Sequence, residues 1–167
     1  MPLQEVLLLA VTKMLSGVCI AGMTTDADPV SGLRWVRPVR EFGNILLGDI
    51  TTAGGQVLQP FDVVALNLLH PQPSPPHAED WIADLAHTRP CIRRQMAGER
   101  RARFLRRYCD RDPCAVLDRQ ERSLCLFQPD WVKGCFRLDA YSAQFEARLS
   151  FGLQGQRYSG SYARGGH

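Results

Sequence analysis

One stretch of this chain, "AGERRARFLRRYCDR" (97–111), spaces its apolar residues most clearly at the helical period, whereas most of its other apolar segments repeat at a spacing of two. That contrast narrows the fold sharply, because a period of 3.6 builds one stripe of a helix and a period of 2 builds one face of a strand. Within the helical stretch Ala97, Phe104, Leu105, Tyr108 and Cys109 form the apolar stripe. Arg100, Arg103 and Arg107 line another face at i, i+3 and i+7. Asp112-Pro113 then stops the helix or starts a second, short one.

Before that helix the strand-like segments are "EVLLLAVT" (5–12), "VCIAGMT" (18–24) after an "MLSG" turn, "LRWVRPV" (33–39) and "FDVVALNLL" (61–69). "NILLGDI" (44–50) reads as a short strand or a turn of helix ahead of the "AGGQ" loop. After the helix come "SLCLFQP" (123–129), "WVKGCFRL" (131–138), "QFEARLSF" (144–151) and "GQRYSGSY" (155–162). In "LRWVRPV" the residues Leu33, Trp35 and Val39 alternate against Arg34 and Val36, which points Trp35 toward the core. A regular strand puts Arg34 and Arg37 on opposite faces, and Pro38 favours an edge or a strand end. Of the two arginines, Arg37 beside the strand end is expected to face a ligand. "HPQPSPPH" (70–77) holds four prolines in eight residues and reads as an extended surface loop. "AEDWIADLAH" (78–87) reads as a helix with Glu79 and Asp80 in its first turn.

Strands, then helices, then strands, with no βαβ alternation, predict a mainly β protein: a barrel core with a helical insertion, or two small barrels. A length of 167 residues suits one domain or two small ones. The divisions expected are 1–86 for a first barrel, 87–120 for the helical connector and 121–167 for the C-terminal strands.

Charge is uneven. Between Arg89 and Arg111 stand nine arginines against Glu99 and Asp110, a local balance of +7 in a chain whose net charge is +3. The basicity therefore belongs to one segment and leaves the rest near −4. Only Lys13 and Lys133 are lysines. Lys13 interrupts the apolar run "VLLLAVTKMLSGVCIAGM", and Ser16-Gly17 breaks it, so two strands and a turn are expected there rather than a membrane span or a leader. The six cysteines (19, 91, 109, 114, 125, 135) lack zinc-ribbon spacing and read as reduced thiols of a cytoplasmic protein.

The common catalytic and phosphate-binding motifs are absent: no phosphate loop, no GxGxxG opening a helix, no GxSxG elbow, no HExxH. No cofactor is called for. His77 with Glu79 and Asp80 could form an acid/base or metal cluster; equally, the carboxylates could cap a helix while His77 anchors the proline loop. Cys19 has no local activating group and reads as a core thiol. The arginine helix face is either solvated or phosphate-contacting.

The segments "LLLAVTKMLSGVCIAGM", "SGLRWVRPV", "PFDVVAL" and "HAEDW", with the later "SLCLFQPDWV" and "RLSFGLQGQRYSGSY", resemble the dual OB-containing domain family of prokaryotes. The resemblance spans nearly the whole chain except the arginine helix, and the last strand runs out at "SYARGGH". It implies two small OB-like barrels and function by analogy with nucleic-acid-binding OB-folds. The positions carried over are Lys13, Cys19, Arg34, Trp35, Arg37, Glu79, Asp80 and Trp81.

Three functions follow. The favoured one is a non-catalytic module for single-stranded nucleic acid or a nucleotide-like ligand. Lys13, Arg34 and Arg37 would contact phosphate, Trp35 or Trp81 would stack, and Arg100, Arg103 and Arg107 would extend the basic track. The second is a small enzyme on a phosphorylated or nucleic-acid substrate, with Lys13, Arg37, His77, Glu79 and Asp80 gathered in one pocket. The third is a protein-interaction subunit of a larger prokaryotic complex. None involves a membrane.

Overall fold

The computed structural model describes residues 3–14, 16–27, 29, 32–138 and 145–161. The expected strand end at Tyr162 and the "ARGGH" tail lie outside them. The chain forms two compact units, Met1–Leu126 and Phe127–His167.

In the first unit the strands are β1 (Gln4–Met14), β2 (Gly17–Thr24), β3 (Trp35–Val39), β4 (Asp62–Leu66), β5 (Leu68–Pro71), β6 (Asp80–Ala83) and β7 (Cys91–Gln95). They form one sheet in the order β5-β6-β3-β2-β1-β4-β7. All pairings are antiparallel except β3 with β6, which run parallel. β4 and β5 are parted by Asn67 alone, so the chain itself joins β4, beside β1, to β5, beside β6. The run β1-β2-β3-β6 together with β4 and β5 therefore curls into a half-barrel, with β7 added beside β4. A bulge between Leu8 and Ala10 bends β1 where this curl is needed.

The inward faces supply the core: Val6, Leu8, Ile20, Val36, Val64, Leu66, Leu68 and Ala83 pack together with Ile45, Ile50, Leu58 and Leu85. A 3-10 turn at Leu47–Ile50 brings Ile50 into that cluster. Helices α1 (Gly98–Tyr108) and α2 (Pro113–Asp118) follow β7. Phe104, Leu105 and Tyr108 are half-buried on α1, whereas Arg100, Arg103 and Arg107 are exposed.

The second unit is a three-stranded antiparallel sheet, β10-β9-β8, built from β8 (Trp131–Leu138), β9 (Phe145–Leu153) and β10 (Gln156–Ser161). Where a second barrel is expected, the described residues form this open meander.

Three local expectations are corrected. Residues 80–83 of "AEDWIADLAH" form a strand, because Asp80 and Trp81 sit in register with Arg37 and Pro38 of β3. "SLCLFQP" is not paired into a sheet. Trp35 lies on the face opposite the core: Val36 and Pro38 are the fully buried residues of β3, while Trp35 and Arg37 are half-buried on its other side. No helix among the described residues is long and apolar enough to cross a membrane.

Candidate functional site

The outer face of β3 and β6 gathers three of the polar residues singled out from the sequence, Arg37, Glu79 and Asp80, with Trp35 beside them. Arg37 and Asp80 are direct neighbours in the parallel ladder. The Arg37 guanidinium donates to both Asp80 oxygens, Nε to Oδ1 at 2.5 Å and Nη2 to Oδ2 at 2.8 Å. This two-pronged geometry is the strong form of an arginine–carboxylate contact. Hydrogen bonding from Asp80 holds the guanidinium still more firmly protonated, against the opposing effect of burial. The Arg37 backbone N–H also donates to the Glu79 carbonyl at 2.8 Å.

Glu79 is 4% exposed, and its carboxylate accepts from Ser123, through the hydroxyl and through the backbone N–H at 3.2 Å. Arg122 pairs with Asp110, gives its Nε–H to the Leu124 carbonyl at 2.6 Å, and stands over the Trp35 ring with its guanidinium carbon 5.8 Å from the centroid. Asp110 accepts from the Leu126 N–H at 2.8 Å. The segment from Asp110 to Leu126 is thereby tied as a strap across the outer face of β3 and β6. None of Asp110, Arg122 or Ser123 carries a sequence motif; Asp110 and Arg122 pair across 12 residues, and Ser123 reaches Glu79 across 44.

The strap lies over Trp35 and Glu79 on this face. Buried charges need partners, and here the partners are internal to the chain. Cys19, on β2 near this cluster, has its thiol pushed up, first by burial and then by the carboxylates of Asp80 and Glu79, with Arg37 opposing them. A thiol so shifted holds little thiolate at neutral pH. Iodoacetamide at pH 8 is therefore expected to label exposed Cys91 and Cys135 quickly and Cys19 only after denaturation, as read by peptide mass mapping.

The remaining candidates lie elsewhere. Arg34 is exposed at the entry to β3, with its guanidinium carbon 5.1 Å from the centroid of the Trp81 ring, which packs partly on the core. Lys13 is exposed opposite Val18 near the β1–β2 turn and forms no hydrogen bond or ion pair with Arg37, Glu79 or Asp80 among the described residues. His77 closes a tight turn with Ser74, and its buried Nδ1 has no partner among the described residues. The five groups of the enzymatic arrangement thus split between the strap, the barrel rim and the proline loop. Among the described residues no three His, Cys, Asp or Glu side chains gather as metal ligands do.

The basic segment forms a different surface. Arg89, Arg93, Arg94, Arg100, Arg101, Arg103, Arg106, Arg107 and Arg111 are all exposed, on β7, α1 and their flanks. Two of them reach a carboxylate among the described residues: Arg94 meets Glu5 at 2.8 Å, and Arg103 meets Glu99 at 3.7 Å. Arg101 instead stands 4.8 Å above the Phe61 ring, and Arg107 lies 5.7 Å from that of Tyr108.

A curled half-barrel sheet followed by a further small sheet is the architecture of an OB-like β protein. The chain belongs to the dual OB-containing domain family, whose model matches residues 4–163. No curated protein and no solved structure matches it.

Proposed function

We propose that this protein is a non-catalytic OB-fold module that binds single-stranded nucleic acid, with the exposed arginines of β7 and α1 as its main phosphate-contacting surface. One observation carries the reading: seven of the nine arginines between Arg89 and Arg111 have no carboxylate partner among the described residues. Like charges packed at helical spacing repel one another, and a polyanion relieves that repulsion by displacing its own counterions. Arg100, Arg103 and Arg107 track one backbone, while Arg34 over Trp81 and Lys13 at the barrel rim supply further contacts. Glu79 and Trp35 serve to hold the strap, and Arg37 and Asp80 to hold each other, rather than the ligand.

The test is fluorescence anisotropy with a labelled oligothymidylate across a salt series. Each phosphate contact contributes a slope of about −0.7 in log K against log salt for single strands, so Arg100→Ala with Arg103→Ala and Arg107→Ala should flatten the slope by about 2. Arg37→Met with Asp80→Leu should leave the slope unchanged. Absence of binding at low salt, or a triple variant indistinguishable from the parent, overturns the proposal.

A further inference from the structure

Trp131 opens β8, and its indole lies over Gly152 of β9, the residue directly opposite in the ladder. A Cβ on Gly152 would sit 2.2 Å from Nε1, 2.7 Å from Cδ1 and 2.8 Å from Cε2, so the absent side chain is what seats the ring. Covering a strand glycine with an aromatic is a known stabilising device, yet 43% of Trp131 remains exposed. Arg157, opposite Gly152 on β10, stands with its guanidinium carbon 6.0 Å from the ring centroid.

The same face continues in rows two residues apart, each about 6.7 Å from the last along the strand. Lys133 stands opposite Ser150 and Ser159, Cys135 opposite Arg148 and Ser161, and Arg137 opposite Glu146. Lys133, Arg137 and Arg157 are exposed, and Lys133 and Arg157 reach no carboxylate among the described side chains. Asp130, next to Trp131, accepts from the Gly155 N–H at 3.3 Å within the β9–β10 turn. By register Lys133 and Arg157 share this face with Trp131. A seated, half-open indole beside exposed cations offers stacking for a base and charge for the phosphates beside it.

We propose that the Trp131–Lys133–Arg157 face of the C-terminal sheet is a stacking platform for a single-stranded nucleic acid, a second contact surface that rests on the nucleic-acid-binding function proposed above. An apolar partner would not need the cations, and a base-free polyanion would not need the ring.

The full-length chain is titrated with labelled oligothymidylate, and with heparin as a polyanion lacking bases. Trp131→Ala should weaken oligonucleotide binding roughly tenfold or more, the scale of one lost stacked base. Trp131→Phe should restore most of that loss, and heparin binding should change little in either variant. Lys133→Glu with Arg157→Glu changes exposed positions only and should weaken both ligands, which tests the face even if Trp131→Ala disturbs the sheet. Oligonucleotide binding that depends on Arg100, Arg103 and Arg107 but ignores Trp131, Lys133 and Arg157 overturns the platform alone. Binding that depends on the platform but not on the three helix arginines overturns the α1 surface alone, and no oligonucleotide binding at all overturns both.

Discussion

Asp80→Ala is expected to destabilise the N-terminal unit by about 3 kcal/mol, near the lower end of what breaking a buried ion pair costs. The side chains of Arg37 and Asp80 are only 20% and 12% exposed. Removing the carboxylate leaves a guanidinium that water reaches poorly, and arginine cannot escape by losing its proton. The Arg94–Glu5 pair has similar chemistry but 55% and 33% exposure, so Glu5→Ala should cost less than about 1 kcal/mol. The double replacement Arg37→Met with Asp80→Leu removes both charges and should recover most of the Asp80→Ala loss, since apolar residues of similar volume often replace a buried pair without penalty. Urea titrations followed by tryptophan fluorescence in a Trp131→Phe background report on Trp35 and Trp81, both within the first unit. A cost for Asp80→Ala as small as that for Glu5→Ala would show that Arg37 finds solvent easily, and the reading of Arg37–Asp80 as a buried pair would fall with it.

What could be foreseen divides along the reach of each interaction. β8 was legible to the residue, because "WVKGCFRL" is a complete period-2 segment bounded by "QPD" and needs no distant partner to be recognised. The arginine face of α1 was legible for the same reason: helical spacing is local. "AEDWIADLAH" misled because its acidic pair fits a helix start equally well. What decides otherwise is Arg37, 43 residues away, and Ser123, 44 residues away, which hold the two carboxylates beside β3. β7 escaped notice because "CIRRQ" is polar and unpatterned; its pairing with β4 makes it a strand.

Trp35 illustrates a subtler failure. Its alternation with Leu33 and Val39 is real, but a five-residue strand with apolar groups on both faces does not announce which face meets the core. Val36 and Pro38 win the interior, where they are fully buried. Trp35 is left to lie under Arg122, an amphipathic ring suited to a half-buried site. The surroundings of Arg37, Glu79 and Asp80 are set by distant partners, Arg37 and Asp80 by each other and Glu79 by Ser123 of the strap, which no short window of sequence contains.

Gly22→Ala should be about as damaging, costing ~3 kcal/mol or more, the upper part of the range for forced overpacking. A Cβ there would stand 2.0 Å from the Leu7 carbonyl oxygen, 2.8 Å from its carbon and 3.0 Å from the Leu8 Cα. These are backbone atoms, and β1 has little room to retreat, since Leu7 is paired with Met23 on one side and Val63 on the other. Gly22 itself bridges Leu8 of β1 and Val36 of β3, at the point where the β1 bulge turns the sheet. Gly48→Ala is the matched control, because a Cβ at Gly48 meets nothing within 4 Å; it should leave the melting temperature within a few degrees. If β2 relieves the clash by slipping one residue, every side chain on it changes face, moving Ile20 out of the core and Cys19 into it. Loss of Ile20 from the core then adds its own penalty, so slippage offers no cheap escape. A thermal melt of Gly22→Ala that matches Gly48→Ala would mean that β1 and β2 lie farther apart than the barrel requires.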